Sequence, residues 1–216
     1  SLAYFEKGYE ILGSEFDRNF FESETGPVGL AWVREHPDIF KQSEGAIIFR
    51  GEPYGLHTRV FVNKEGLPTY EAKDLGLMEL KYQWWPFDLS ITVTGTEQEH
   101  YFAVMKKAAE LINADRADKV ELVPNGMLRL PTGKMSSRTG TIIPALSLIS
   151  EVQQKVLDLL VEGTISDTTE KMAQDVAVGA IKYAILRAAA GKDIVFDLER
   201  SISLEGASGP YLQYTH

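Results

Sequence analysis

Cysteine is absent from the 216 residues. That excludes disulfide staples and thiolate metal sites, and it fits a reducing compartment such as the cytoplasm. Histidine is scarce: His36, His57, His100 and His216 are the full set, and none stands beside another. No stretch reaches the roughly 18 consecutive apolar residues of a membrane span. The opening Ser1-Leu-Ala-Tyr-Phe-Glu6 lacks both the basic and the apolar stretch of a signal peptide. A non-membrane, cytoplasmic protein is therefore expected. Positive charge is also in short supply, with 22 Lys and Arg against 31 Asp and Glu and a formal net charge of -9. This balance argues against a non-specific nucleic-acid coat but leaves room for a local basic site.

One such site is outlined by a local absence of acids. Residues 122–150 contain no Asp or Glu, yet they hold Arg129, Lys134 and Arg138. Within them runs Leu130-Pro-Thr-Gly-Lys-Met-Ser-Ser-Arg-Thr-Gly140, rich in cations and hydroxyls and bounded by Gly133 and Gly140. Hydroxyls and backbone N–H groups beside two cations are what a loop needs to grip a polyphosphate. An ordinary solvated loop has the same composition, and on composition alone that reading stays ahead.

Hydrophobic content of 44% and charged content of 25% are ordinary for a globular chain, and the length suits one large or two small units. The chain does not begin with Met and halts at His216 inside a helical pattern, so a piece of a longer protein is expected. Short β-branched and aromatic runs predict strands at residues 45–50 and 58–63, the second closed by a turn at Lys64-Glu-Gly66. A stronger strand at 89–94 meets Gly95 at once. Thr96 and Glu99 then read as a capping box for a helix whose stripe is Phe102, Met105, Ala109 and Ile112. Strand, glycine and helix in this order present helix-terminal amides to a nucleotide at the edge of a parallel sheet. The next strand, 119–123, leads straight into the cationic loop.

Beyond the loop the pattern is helical. Pro144 suits a first helical position, and Ile149, Val152, Val156 and Leu160 form one face as far as Gly163. Asp167 with Glu170 caps a second helix whose predicted stripe is Met172, Val176, Ala180 and Tyr183, ending near Ala190. Residues 191–209 read as a connection, and Pro210 starts a last helix. Trp84-Trp85-Pro86 reads as packing. The acids Asp17, Glu22 and Glu24 are too scattered for a metal site, and no metal ligands are assigned.

Tyr70 and Asp74 lie four apart in what reads as the opening of a helix, so a phenol and a carboxylate share a face. A carboxylate takes a guanidinium through parallel hydrogen bonds, and an aromatic adds a hydroxyl or a π face. Spacing alone favours a surface Asp and a half-buried Tyr.

The order Lys134-Met-Ser-Ser-Arg138 resembles the signature loop of class I aminoacyl-tRNA synthetases, in the Lys-Met-Ser-Thr-Arg form of the arginyl enzymes. Ser137 stands for the Thr, and Thr139 for a following Lys. Tyr70-Glu-Ala-Lys-Asp74 is similar to that family's Tyr-x-x-Arg-Asp segment. Asp88 to Gln98 is similar to its Asp-x-x-x-x-Val-x-Gly-x-x-Gln segment, with Tyr101 where the family has His. Lys192 to Asp197 and Glu205 to Tyr214 resemble its junction into an anticodon-binding domain. The resemblance runs from about Leu12 to His216.

It implies an α/β fold with a Rossmann-like parallel sheet, the second half of a class I catalytic domain, followed by an α-helical segment. The expected division is 1–163 for that half with an insertion and the loop, and 164–216 for the helical junction. It further implies an arginine–tRNA ligase working on arginine, ATP with Mg²⁺, and tRNA, as a monomer. By resemblance Lys134, Ser136 and Ser137 are catalytic. Gly95, Tyr101, Met127, Leu128, Lys134, Met135 and Arg138 contact ATP, while Tyr70, Asp74 and Gln98 read arginine. The family's His-x-Gly-His signature is missing from this chain, so the chain alone is expected to be inactive. The alternatives are another class I synthetase, or a non-catalytic RNA-binding or interaction module derived from one.

Overall fold

The computed structural model describes residues 2–129, 131, 144–160, 167–203 and 205–215. Helix α1, Leu2–Leu12, and helix α2, Glu22–Glu35, are followed by strands β1, Phe40–Ser43, β2, Ala46–Phe49, and β3, Arg59–Val62. Then come α3, Tyr70–Trp84, β4, Ser90–Gly95, α4, Glu99–Ile112, the short α5, Ala114–Ala117, and β5, Val120–Asn125. The remainder comprises β6, Leu128–Arg129, α6, Ala145–Leu160, α7, Asp167–Leu186, β7, Ile194–Val195, α8, Leu198–Ser201, and α9, Gly209–Thr215. Two compact units emerge: Asp17–Asn125 is one, and Ser1–Phe16 with Gly126–His216 is the other.

In the Asp17–Asn125 unit, β1, β2 and β3 form an antiparallel sheet in that order. Glu44 and Gly45 both have positive φ, 49° and 85°, which is the backbone of a two-residue hairpin turn matched to strand twist. Gly45, expected in the strand, is therefore turn. Phe40, Phe49 and Phe61 meet beneath this sheet, with Phe40 and Phe61 centroids 4.9 Å apart. Strands β4 and β5 pair in parallel from Ser90 opposite Val120 to Gly95 opposite Asn125. Helix α4 joins them and buries Phe102, Met105 and Ala109, with Ile112 packed at the core margin. The parallel pairing and the strand–glycine–helix connection are as expected.

Two details differ from expectation here. The Thr96–Gln98 segment is a 3₁₀ turn, so α4 starts at Glu99 and its N-cap, Gln98, makes no side-chain cap bond. Thr96 is thus inside the turn and Glu99 is the first helical residue, positions from which a capping box does not close. Trp84 and Trp85 are 58% and 59% exposed rather than packed, because α3 ends there and Trp85 turns extended. The Arg18 guanidinium lies 4.1 Å from the Trp84 ring centre.

Helices α2 and α3 cross at unusually close range. A Cβ on Gly29 would collide with the Ala72 carbonyl, and one on Gly76 with the Thr25 carbonyl. Glycine at both positions is what lets the two backbones touch. Pro27 sits inside α2. Glu22 of α2 pairs with Lys73 of α3, and Glu24 bonds back to the Phe21 N–H at 3.0 Å and to Arg18 at 2.9 Å. Those acids serve the helix and its neighbours, and among the described residues no three His, Cys, Asp or Glu side chains converge on a metal position.

The other unit has its own core of Ile149, Val152, Val156, Ala173, Ala177, Ala180, Ile181 and Phe196. Pro144 precedes α6, and its carbonyl accepts from the Leu148 N–H at 3.0 Å, so it caps the helix rather than opening it. On α7 the buried face is Ala173, Ala177, Ala180 and Ile181, whereas Met172 is 48% exposed. Of the predicted stripe, Ala180 is buried and Val176 packs at the core margin, whereas Met172 is exposed; Ala173, Ala177 and Ile181 complete the buried face. The 191–209 connection contains β7 and α8, with Asp197 capping α8 through the Arg200 N–H at 3.1 Å. Among the described residues no helix is long and apolar enough to cross a membrane.

Candidate functional site

Tyr70 is the first residue of α3 and Asp74 lies one turn further on, as the spacing predicts. Gln98 ends the 3₁₀ turn after β4, and Tyr101 follows one turn later on α4. All four line one cleft of ≈ 500 Å³, together with Arg59, Glu71, Thr92, Thr94, Glu97 and Phe102. That volume lies within the roughly 300–1,000 Å³ of small-molecule sites. The helix pair and the parallel strands therefore bring segments that are about 30 residues apart in sequence onto one wall.

The cleft is acidic. Among the described residues Glu71, Asp74 and Glu97 face one basic lining residue, Arg59, which is itself paired with Glu71 at 3.3 Å. Asp74 Oδ2 accepts a hydrogen bond from the Tyr101 hydroxyl. Burial pushes the Asp74 carboxyl above its ordinary range; the Tyr101 bond pulls it back, Glu71 and Glu22 add to the rise, and Lys81 opposes it. Lys81 lies two turns along α3, donates to Ser90 Oγ at 2.5 Å, and is held below the usual lysine range by burial. Tyr101 is pushed far above the tyrosine range, first by burial and then by the Asp74 charge and bond, so its hydroxyl remains a donor. Tyr70 is 68% exposed, with the Lys73 ammonium 5.1 Å from its ring centre.

A site for a guanidinium is chemically coherent here: a carboxylate held in place, an accessible ring, an amide side chain and surplus negative charge. Arg59, Glu71, Glu97 and Lys81 escaped the sequence reading. Arg59 and Glu71 are 12 residues apart on a strand and a helix, a spacing that carries no periodic signal.

Gly95 closes β4, and the Glu97 carboxylate folds over it so closely that a Cβ there would collide. In the other unit, the Met127 N–H donates to Asp193 Oδ1 at 2.9 Å, and the Met127 carbonyl accepts from Ile194 N–H at 2.9 Å. Both main-chain groups of Met127 thus already hold partners. Leu128 pairs with Ile194 in the parallel β6–β7 ladder. Asp193 also pairs with Arg129, so one carboxylate fixes the strand that leads toward the cationic loop. Gly126 touches the Lys192 carbonyl closely enough to exclude a side chain. Lys134, Met135, Ser136, Ser137 and Arg138 lie outside the described residues.

Comparison with known proteins gives a consistent result. A family model described as "tRNA synthetases class I (R), catalytic domain" matches residues 32–198. The chain is 32% identical over 213 residues to the arginine–tRNA ligase of Treponema denticola, covering 95% of this chain and 36% of that relative. It is 33% identical over 220 residues to that of Amoebophilus asiaticus, covering 98% of this chain and 37% of the relative. The chain therefore spans little more than a third of the length of these curated relatives. The fold resembles an arginyl-tRNA synthetase of Plasmodium falciparum, with a TM-score of 0.79, 19% identity, and coverage of 99% of this chain and 37% of that one. A Thermus thermophilus arginyl-tRNA synthetase gives 0.75 at 22% identity, covering 96% of this chain and 42% of its own.

Proposed function

Because the chain belongs to the class I tRNA synthetases of the arginine type, we propose that it is part of an arginine–tRNA ligase. The whole protein would activate arginine with ATP to arginyl-adenylate and transfer it to the 3′ end of tRNA. A carboxylate oxygen of arginine attacks the α-phosphorus in line, the bond to pyrophosphate breaks, and the protein's task is positioning and charge stabilisation. The observation that carries the arginine reading is the acidic cleft in which Tyr70, Asp74 and Gln98 converge, its one basic lining residue already paired. Surplus negative charge there favours a cationic side chain and disfavours a neutral one.

In this reading Asp74 takes the guanidinium, Tyr70 covers it, and Gln98 reaches the amino-acid backbone. Lys134 would stabilise the leaving pyrophosphate with Ser136 and Ser137 as donors, while Met135 and Arg138 complete the loop's grip on ATP. Gly95 would border the nucleotide, and Leu128 would offer its main chain to adenine more readily than Met127, whose groups are engaged. Mg²⁺ would arrive on the ATP phosphates as part of the substrate; the described residues present no ligand set for it, and no step is derived through it. Residues 1–163 would serve the catalytic half and 164–216 the junction toward an anticodon-binding domain. The proposed setting is the cytoplasm, as a monomer.

The test is Asp74→Asn in the full-length enzyme, with KM measured for arginine and for ATP in tRNA charging. Hydrogen bonds to charged groups contribute about 1.5–3 kcal/mol, so arginine KM should rise roughly tenfold to a hundredfold. ATP KM should move far less. An unchanged arginine KM would remove the cleft from amino-acid recognition.

A further inference from the structure

Tyr101 stands where the resemblance places a histidine on the nucleotide side, yet its surroundings belong to the amino-acid cleft. Its neighbour Phe102 is buried in the core at 5% exposure, which fixes the start of α4 and aims Tyr101 at α3. There its hydroxyl donates to Asp74 Oδ2. The Arg59 guanidinium lies 5.9 Å from its ring centre and is tethered in turn to Glu71 at 3.3 Å. The phenol is therefore held at its ring, by its helix and at its oxygen.

We propose that Tyr101 is a positioning residue for arginine recognition: its hydroxyl fixes Asp74 through Oδ2 and leaves Oδ1 turned to the substrate guanidinium. This rests on the arginine reading of the cleft. With Oδ2 held by the Tyr101 hydroxyl, the guanidinium would meet an acceptor of set direction rather than a rotating one. Such preorganisation reduces the ordering cost of binding. The same bond supports the carboxylate's charge. The groups facing Asp74 are Glu71 and Lys81 on α3, Glu22 on α2, Tyr101 on α4 and, through Glu71, Arg59 on β3. Among these, the Tyr101 bond is the largest influence holding the carboxyl down against burial. A histidine at this position has ring N–H donors but a shorter side chain, which holds them nearer its own helix than the Tyr101 hydroxyl that makes the bond.

The experiment compares Tyr101→Phe, Tyr101→His and Asp74→Asn in the full-length enzyme, measuring arginine KM, ATP KM and the pH profile of kcat/KM for arginine. Tyr101→Phe keeps the ring and the packing and removes only the donor. Its arginine KM should rise about fivefold to tenfold with ATP KM unchanged. The acid limb of its profile should move to higher pH, since Asp74 without the bond takes up a proton more readily. Tyr101→His should match Tyr101→Phe. A raised arginine KM in Asp74→Asn together with an unchanged KM and acid limb in Tyr101→Phe would overturn the role of Tyr101 alone. A raised ATP KM in Tyr101→Phe, with arginine KM unmoved, would return Tyr101 to the nucleotide and overturn it as well. An unchanged arginine KM in Asp74→Asn would overturn the cleft reading and this inference with it.

Discussion

Asp74 carries a charge in a place where burial opposes it and two acids, Glu71 and Glu22, repel it. A folded-state pKa above the ordinary 3.8 means the folded protein holds its proton over a range where the unfolded chain has lost it. Stability from this group is therefore fully present below about 3.8 and is lost as pH rises through the raised value. At neutral pH the ionised Asp74 is a net burden on folding. Asp74→Asn should raise the melting temperature at pH 7, because it removes the charge that burial and the neighbouring acids oppose. The gain should vanish in a melt taken below pH 4. The same substitution that weakens arginine binding would thus strengthen the fold, the usual trade between activity and stability. A variant that melts lower than the parent at pH 7 would show that the carboxylate is stabilising instead.

At the scale of elements, the α2–α3 crossing sets where Asp74 stands, because Gly76 is two residues beyond it on the same helix. Gly76→Ala would drive a methyl group into the Thr25 carbonyl, and neither backbone has room to yield. Overpacking of this kind costs about 1–3 kcal/mol. Both a lower melting temperature and a higher arginine KM are expected. A change in stability with an unmoved KM would separate the crossing from the site.

The crossing is also where reading by local pattern fell short. Between Glu22 and Glu35 stand Gly26, Pro27 and Gly29, each a poor helix former, and no periodic stripe offsets them. Helix α2 forms because its glycines gain contact with α3, a tertiary effect invisible to a local window. On α7 the predicted stripe held at Ala180 but missed Ala173 and Ala177, alanines too small to stand out in a local pattern. By contrast, β3, the start of α3, β4, α4 and β5 were legible within a residue or two because period and punctuation agreed. Tyr70, Asp74 and Gln98, singled out by resemblance, line one cleft, which is as much as the sequence offered of their grouping. The Tyr101–Asp74 bond was not legible, since it joins residues 27 apart and depends on how two helices approach.

For the molecule as a whole, the missing His-x-Gly-His signature bears on what these 216 residues do alone. In the proposed reading that signature would supply the other part of the ATP site. The isolated chain should therefore leave arginine-dependent ATP–pyrophosphate exchange at background, with or without tRNA. Exchange clearly above background would show that the residues present suffice.

The division into units has a consequence for the order in which the chain takes shape as it is made. Asp17–Asn125 is continuous, so it leaves the ribosome complete and can close its Phe40–Phe49–Phe61 core while the rest is still being translated. The other unit is split around it. Its α1 is synthesised early, but the Lys182 side chain that donates to the Leu12 carbonyl is 170 residues away. The α1 residues Ile11 and Leu12 pack against a core built from α6 and α7, so that surface has no partner until those helices have emerged. An early apolar helix awaiting a late one is the kind of nascent segment that chaperones shield.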